Sequence, residues 1–224
     1  MTNGVSNDAA AAPPSTAYKH IWVITGPAGC GKTSVAEYLH QTFSLPYLEG
    51  DTVSPSHLKP RCFTKLTSPS QFHTAANVQK MAAGQPLTDA DRWDWLILLR
   101  EQSLATLAPP GASSPGGPSG VIVTCSALKR KYRDVIRIAA YHDPSIRVHF
   151  VFLSASETLL MDRVRARKNH YMKDYMVHSQ FESLETPMAD EGDVLSVDAS
   201  GTSGEVQRLA LKVVEGEMRG GDRL

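Results

Sequence analysis

One stretch restricts this chain more than any other: Gly26-Pro-Ala-Gly-Cys-Gly-Lys32-Thr33. It fits the pattern G-x-x-x-x-G-K-[ST]. It follows an apolar run, His20-Ile-Trp-Val-Ile-Thr25, and precedes a stretch in which Val35, Ala36, Leu39 and Phe43 recur at helical spacing. The order strand, glycine-rich turn, helix is the setting in which this pattern holds phosphate. Glycines let backbone N–H groups turn inward around phosphate oxygens, and the helix offers its positive N-terminal end to the same anion. The phosphate-binding candidates are therefore Gly26, Pro27, Ala28, Gly29, Cys30, Gly31, Lys32 and Thr33. Lys32 can reach the terminal phosphates as a point charge, and the Thr33 hydroxyl can ligate Mg²⁺. The pattern says that phosphate is bound and leaves the receiver of it open.

The remaining periodicity extends this beginning into a fold. Further short apolar runs at 46–48, 121–125, 147–153 and 194–197 read as buried strands. Helical spacing is expected over 33–43, 75–83, 92–108, 129–140, 157–167, 179–184 and 205–217. Thr88 and Asp91 are three apart at the head of the 92–108 stretch, which is a capping pair. Strands alternating with helices imply crossover connections and a parallel sheet covered on both faces. The 224 residues carry 42% hydrophobic and 21% charged residues, enough apolar material for one packed domain. Residues 1–18 and 219–224 are expected to be tails around a domain at 19–218, and the Pro/Gly/Ser-rich stretch 109–120 a linker within it. The N-terminal stretch has neither the cationic start nor the apolar core of a secretion signal. Lys+Arg and Asp+Glu are 23 each, so nothing in the bulk charge favours nucleic acid or a membrane surface. No run approaches the length of a spanning helix. Three cysteines, Cys30, Cys62 and Cys125, are too few for a disulfide scaffold and suit a reducing, cytoplasmic setting.

Several side chains beyond the glycine-rich turn suit chemistry on phosphate. Asp51 ends the second strand, and ligands of open parallel sheets bind beyond such strand ends. Its carboxylate can take or orient a hydroxyl proton, or it can simply cap a turn. Arg163, Arg165, Arg167, Lys168, His170 and Lys173 crowd eleven positions. Arg163 and Arg167 share a helix face and can stabilise charge in phosphoryl transfer; the alternative is a solvated basic surface. Lys129, Arg130 and Arg133 follow the third strand, where they meet an anionic substrate or stand exposed at a helix start.

Taken together, the glycine-rich turn, Leu48-Glu-Gly-Asp51, Asn77-Val-Gln-Lys-Met81, Gly84-Gln-Pro-Leu-Thr-Asp-Ala-Asp-Arg92, Cys125-Ser-Ala-Leu-Lys129, Tyr132-Arg133-Asp134 and Ser179-Gln-Phe-Glu-Ser-Leu-Glu185 resemble the gluconokinase family. These are small P-loop sugar-acid kinases related to shikimate and adenylate kinases. The resemblance spans about 19–199. It implies an α/β P-loop kinase fold with a five-stranded parallel sheet flanked by helices and a mobile lid at about 167–177. It implies ATP-dependent phosphorylation of D-gluconate to 6-phospho-D-gluconate, feeding the pentose phosphate pathway, with Mg²⁺. On this resemblance Lys32, Asp51, Arg163 and Arg167 are catalytic, Asp51, His73, Lys129 and Arg133 bind the acceptor, and Thr33 holds Mg²⁺. The partners implied are D-gluconate and ATP, with no nucleic acid and no membrane; the oligomeric state is open, a homodimer included. Two rival expectations stand: a shikimate- or nucleoside-type kinase of the same architecture, or a nucleotide-binding protein without turnover.

The chain departs from the family at one place. The family pattern runs Gly-Asp-x-x-His, three residues, then Asn. Here nineteen residues, 53–71, separate Asp51-Thr52 from Phe72-His73. Removing them restores the pattern in register. The stretch opens with Val-Ser, which can be encoded GTAAGT or GTGAGT, and closes with Gln, which can be encoded CAG. Nineteen codons keep the reading frame. Residues 53–71 therefore read as a translated, unspliced short intron or a gene-model error, against the rival of a genuine surface loop.

Overall fold

The computed structural model describes residues 18–50, 77, 79–80, 85, 87–108, 117–141, 143–166 and 174–220. Five strands form one sheet: β1 (Lys19–Thr25), β2 (Tyr47–Glu49), β3 (Gly120–Thr124), β4 (Ile146–Ser154) and β5 (Val194–Asp198), in the order β2-β3-β1-β4-β5. Every neighbouring pair is parallel. The registers that matter for the site are Ile24 against Thr124, Thr25 against Phe152, and Glu49 against Thr124. They bring the carboxyl ends of β1, β2, β3 and β4 to one edge.

Helices α1 (Lys32–Phe43), α2 (Asp89–Leu107), α3 (Arg130–Arg137), α4 (Glu157–Ala166), α5 (Asp174–Glu182) and α6 (Ser203–Gly220) flank the sheet. The strands are apolar nearly throughout because both faces are covered. On one face Trp22, Ile24 and Val151 pack with Leu39 of α1, Leu160 of α4 and Val214 of α6. On the other, Ile21, Val23 and Phe150 pack with Leu96 and Leu99 of α2 and Ile136 of α3. This is the α/β arrangement expected from the alternation of runs.

Several local details differ from the sequence expectation. The 129–140 helix is α-helical to Arg137 and closes in a 3₁₀ turn at Ile138–Ala140. The helix expected at 179–184 begins at Asp174, so residues 174–177 of the expected lid are helical; 167–173 lie outside the described residues. Val177 anchors that extra turn, with no exposed surface. The 75–83 helix is described only at residues 77, 79 and 80, which are helical. Residues 1–17, 53–71 and 109–116 lie outside the described residues. The capping pair forms as expected: Thr88 and Asp91 exchange hydrogen bonds at the start of α2, which satisfies donors the first turn leaves open.

Candidate active site

β1 ends at Thr25 and the chain turns at once into the glycine-rich loop. Gly26 has φ 139°, and a Cβ there would approach the Leu153 carbonyl oxygen to 2.7 Å. Only glycine lets the loop lie this close to β4. Gly31 has φ 100° and caps α1, whose first residues are Lys32 and Thr33. Lys32 Nζ donates to the carbonyl oxygens of Gly26 (3.0 Å) and Pro27 (3.3 Å), so the ammonium lies along the loop's first turn. Thr33 is exposed at the helix start. A hard hydroxyl oxygen beside a phosphate cradle suits Mg²⁺. Ala28 N–H donates to Gln180 Oε1 of α5 at 2.7 Å.

A cavity of about 230 Å³ opens on the α6 side of the loop, bounded by Gly29, Gly31, Ser34, Arg163, Gly201 and Val206. Arg163 donates to the carbonyl oxygens of Ala199 (2.7 Å), Ser200 (3.1 Å) and Gly201 (2.7 Å). Its guanidinium thus fastens the β5–α6 turn to the rim of that cavity. A second cavity, of about 270 Å³, lies at the carboxyl end of β4, between Pro27, Phe152, Ser154, Phe181 and Leu184.

The acceptor side of the loop is built where β2 and β3 end. Gly50 N–H donates to the Thr124 carbonyl at 3.0 Å, and Thr124 Oγ1 donates to Glu49 Oε1 at 2.7 Å. A Cβ on Gly50 would run into the Thr124 carbonyl oxygen. Trp95 Nε1 of α2 donates to the Gly50 carbonyl at 2.9 Å. Tyr47 OH donates to the second Glu49 oxygen, and burial, then that carboxylate, pushes the phenol far up. Asp51, the next residue, lies outside the described residues, as do His73 and Arg167.

The loop after β3 carries Lys129 to the N-terminal end of α2. Lys129 Nζ lies 3.2 Å from Asp89 Oδ1. Lys131 Nζ and Tyr132 OH hydrogen-bond the same carboxylate. Those contacts, with Lys131 first, hold Asp89 well below the usual carboxylate range. Arg92 lies over the Tyr132 ring at 5.5 Å. Lys129, Lys131 and Arg92 together outnumber Asp89, so this edge is cationic.

Arg133, expected to bind the acceptor, lies in the interior. It is one of the largest fully buried side chains, 1% exposed, and forms a bidentate pair with Glu191: Nε to Oε2 at 2.7 Å and Nη2 to Oε1 at 2.6 Å. Its remaining Nη1 donates to the carbonyls of Ala127, Leu128 and Glu185. The guanidinium joins α3 to the loops at 185 and 191. The sequence carries a cation at the right place in the chain, but a partner 58 positions away decides its use. Gln180 was missed. It stands in the Ser179-Gln-Phe run, and only its contact with Ala28, 152 positions away, reveals it.

Known proteins with this architecture narrow the reading. No family model matches the chain. A probable gluconokinase of Schizosaccharomyces pombe is 37% identical over 202 residues, covering 90% of this chain and 91% of that one. The thermoresistant gluconokinase of Escherichia coli is 33% identical over 179 residues, 80% of this chain and 84% of that one. Among solved structures, a gluconokinase from Sinorhizobium meliloti superposes with a TM-score of 0.68 at 32% identity, covering 90% of this chain and 94% of that one. Likeness of this extent reaches well past the phosphate loop into both flanks of the sheet, and the chain belongs to the gluconokinase family.

Proposed function

We propose that this protein transfers the γ-phosphoryl group of ATP to the primary hydroxyl of D-gluconate, giving 6-phospho-D-gluconate and ADP. The observation that carries the reading is the pairing of a phosphate loop on β1–α1 with a cationic edge at Lys129, Lys131 and Arg92. ATP supplies the first and an acidic sugar the second. In-line transfer asks for positioning and charge stabilisation more than covalent help. Lys32 stabilises charge on the transferring group, Asp51 takes or orients the hydroxyl proton, and Lys129 meets the gluconate carboxylate in exchange for Asp89. Arg167 closes over the phosphoryl group from the 167–177 segment. Arg163, bound to the β5–α6 turn, walls the nucleotide side. Thr33 would hold Mg²⁺, which would supply positive charge to neutralise the phosphates. The setting is read as cytoplasmic; among the described residues no helix is long and apolar enough to cross a membrane. An acceptor panel tests the substrate: ADP release should depend on D-gluconate, and equal turnover with shikimate or nucleosides would overturn the assignment.

We further propose that residues 53–71 are dispensable to the kinase. Two contacts support this. Gly50 is tied to Trp95, and Asn77 Nδ2 donates to the Asp91 carbonyl at 2.7 Å. Asp91 and Trp95 are about one helical turn, roughly 6 Å, apart along α2. Without 53–71, seven residues remain between Gly50 and Asn77. Eight Cα steps of roughly 3.3 Å reach about 26 Å, ample for two points beside one helix turn. A 53–71 deletion should fold and show a lower KM for gluconate than the full chain, at equal affinity for ATP. A deletion that fails to fold, or an unchanged KM, refutes the proposal.

A further inference from the structure

The Pro27–Ala28 peptide unit of the phosphate loop is held at both ends. Its carbonyl, on Pro27, accepts from Lys32 Nζ at 3.3 Å. Its N–H, on Ala28, donates to Gln180 Oε1 at 2.7 Å. Lys32 and Gln180 therefore share one rigid peptide plane. Because the backbone group is a donor, it fixes the carboxamide's orientation: oxygen toward Ala28, NH₂ away from it. Among the described residues that NH₂ has no hydrogen-bond partner. Gln180 is half-buried. Its helix is set by Val177 in the core, and its neighbours Phe181 and Leu184 wall the 270 Å³ cavity that starts at Pro27. The NH₂ is thus held beside the loop by the Ala28 contact, before any substrate arrives.

We propose that Gln180 is a catalytic residue of phosphoryl transfer, its NH₂ donating to an oxygen of the phosphoryl group as that group passes from ATP to the acceptor. The inference rests on the kinase reading. In such a transfer, charge spreads over three equatorial oxygens. A neutral donor already oriented by Ala28 stabilises that charge without reorganising. It moves no proton: the proton of the attacking hydroxyl goes to the base, and the P–O bond to ADP breaks as the bond to the acceptor oxygen forms.

Two variants separate this from a mere tie on the loop. Gln180→Ala removes the tie and the donor. Gln180→Glu keeps an oxygen for Ala28 N–H and removes the donor. The full chain and both variants would be measured for kcat with ATP and D-gluconate, and for ADP affinity by calorimetry. ADP lacks the transferred group. The expected result is a fall in kcat of about 100-fold in both variants, with ADP affinity within twofold of the parent. Two results would overturn the proposal: Gln180→Glu keeping kcat within threefold of the parent, or ADP affinity falling in step with kcat in both variants. The first leaves Gln180 as a tie on the loop and the second makes it a nucleotide-positioning residue. A parent chain silent with every acceptor sinks the kinase reading and this inference together; an active parent with an active Gln180→Glu sinks the inference alone.

Discussion

Replacing Glu191 by Ala removes the carboxylate on which the α3 side of the domain converges. Glu191 is almost fully buried and accepts from Arg133 Nε and Nη2, from Arg137 Nη2 at 2.7 Å and from Met188 N–H at 3.3 Å. Truncation leaves the Arg133 guanidinium buried with only carbonyls for company. Breaking a buried ion pair from one side costs about 3–5 kcal/mol. The titration of Glu191 gives a similar size. Hydrogen bonds from Arg133, helped by Arg137, hold its carboxyl down to about 2 against a desolvation that raises it. Relative to an ordinary glutamate that is worth about 3 kcal/mol near neutral pH. The contribution is present above the unfolded value near 4.5 and is lost as pH falls through about 2. Urea unfolding followed by tryptophan fluorescence reads it. With a slope of about 3 kcal/mol/M, the midpoint should fall by about 1–1.7 M. A double variant, Arg133→Met with Glu191→Met, should recover most of that, since an apolar pair of similar volume is tolerated where a lone charge is not. A midpoint within 0.3 M (about 1 kcal/mol at that slope) for Glu191→Ala would refute this reasoning. If Arg133→Met also raised the KM for gluconate at unchanged stability, Arg133 would belong to the acceptor site.

Two further perturbations test other parts. His149 stacks on Trp22 with ring centroids 4.2 Å apart, and its Nε2 meets His20 Nδ1 at 3.0 Å. Burial first, then His20, lowers its pKa to about 4, so the unfolded chain takes a proton near 6.5 that the folded chain refuses. Stability should therefore be full above 6.5 and fall by about 2 kcal/mol between pH 7 and pH 5; His149→Phe should lose less over that interval in urea melts, and an equal loss would clear His149 of the effect. Lys32→Met should cut phosphoryl transfer at least 100-fold with little change in the thermal midpoint, because Lys32 stands on the loop and is not a core residue; a large drop in midpoint would make its role structural.

What the sequence made legible follows from range. The strands and α2 are local patterns: Val121 to Val123 is an unbroken apolar run, and Thr88 and Asp91 cap each other three residues apart. The phosphate loop is local too, down to the glycines at φ 139° and 100°. Arg133 and Arg163 looked like free cations because a one-dimensional reading sees charge and not partner. Glu191 and the carbonyls of Ala199 to Gly201 lie 36 or more residues from them. The first turn of α5 escaped notice for the opposite reason. The basic, aromatic stretch before it has no apolar period to announce a helix, although Val177 is buried. Gln180 is the same lesson at longer range.

Everything above turns on gluconate as the group that receives the phosphate. Purified full-length chain and its 53–71 deletion, incubated with ATP, Mg²⁺ and D-gluconate, would be followed by ³¹P NMR. A phosphomonoester at the primary hydroxyl is expected, formed in step with ADP and faster in the deletion at low gluconate. ATP left intact by both forms, with ADP still binding to the loop, would contradict it.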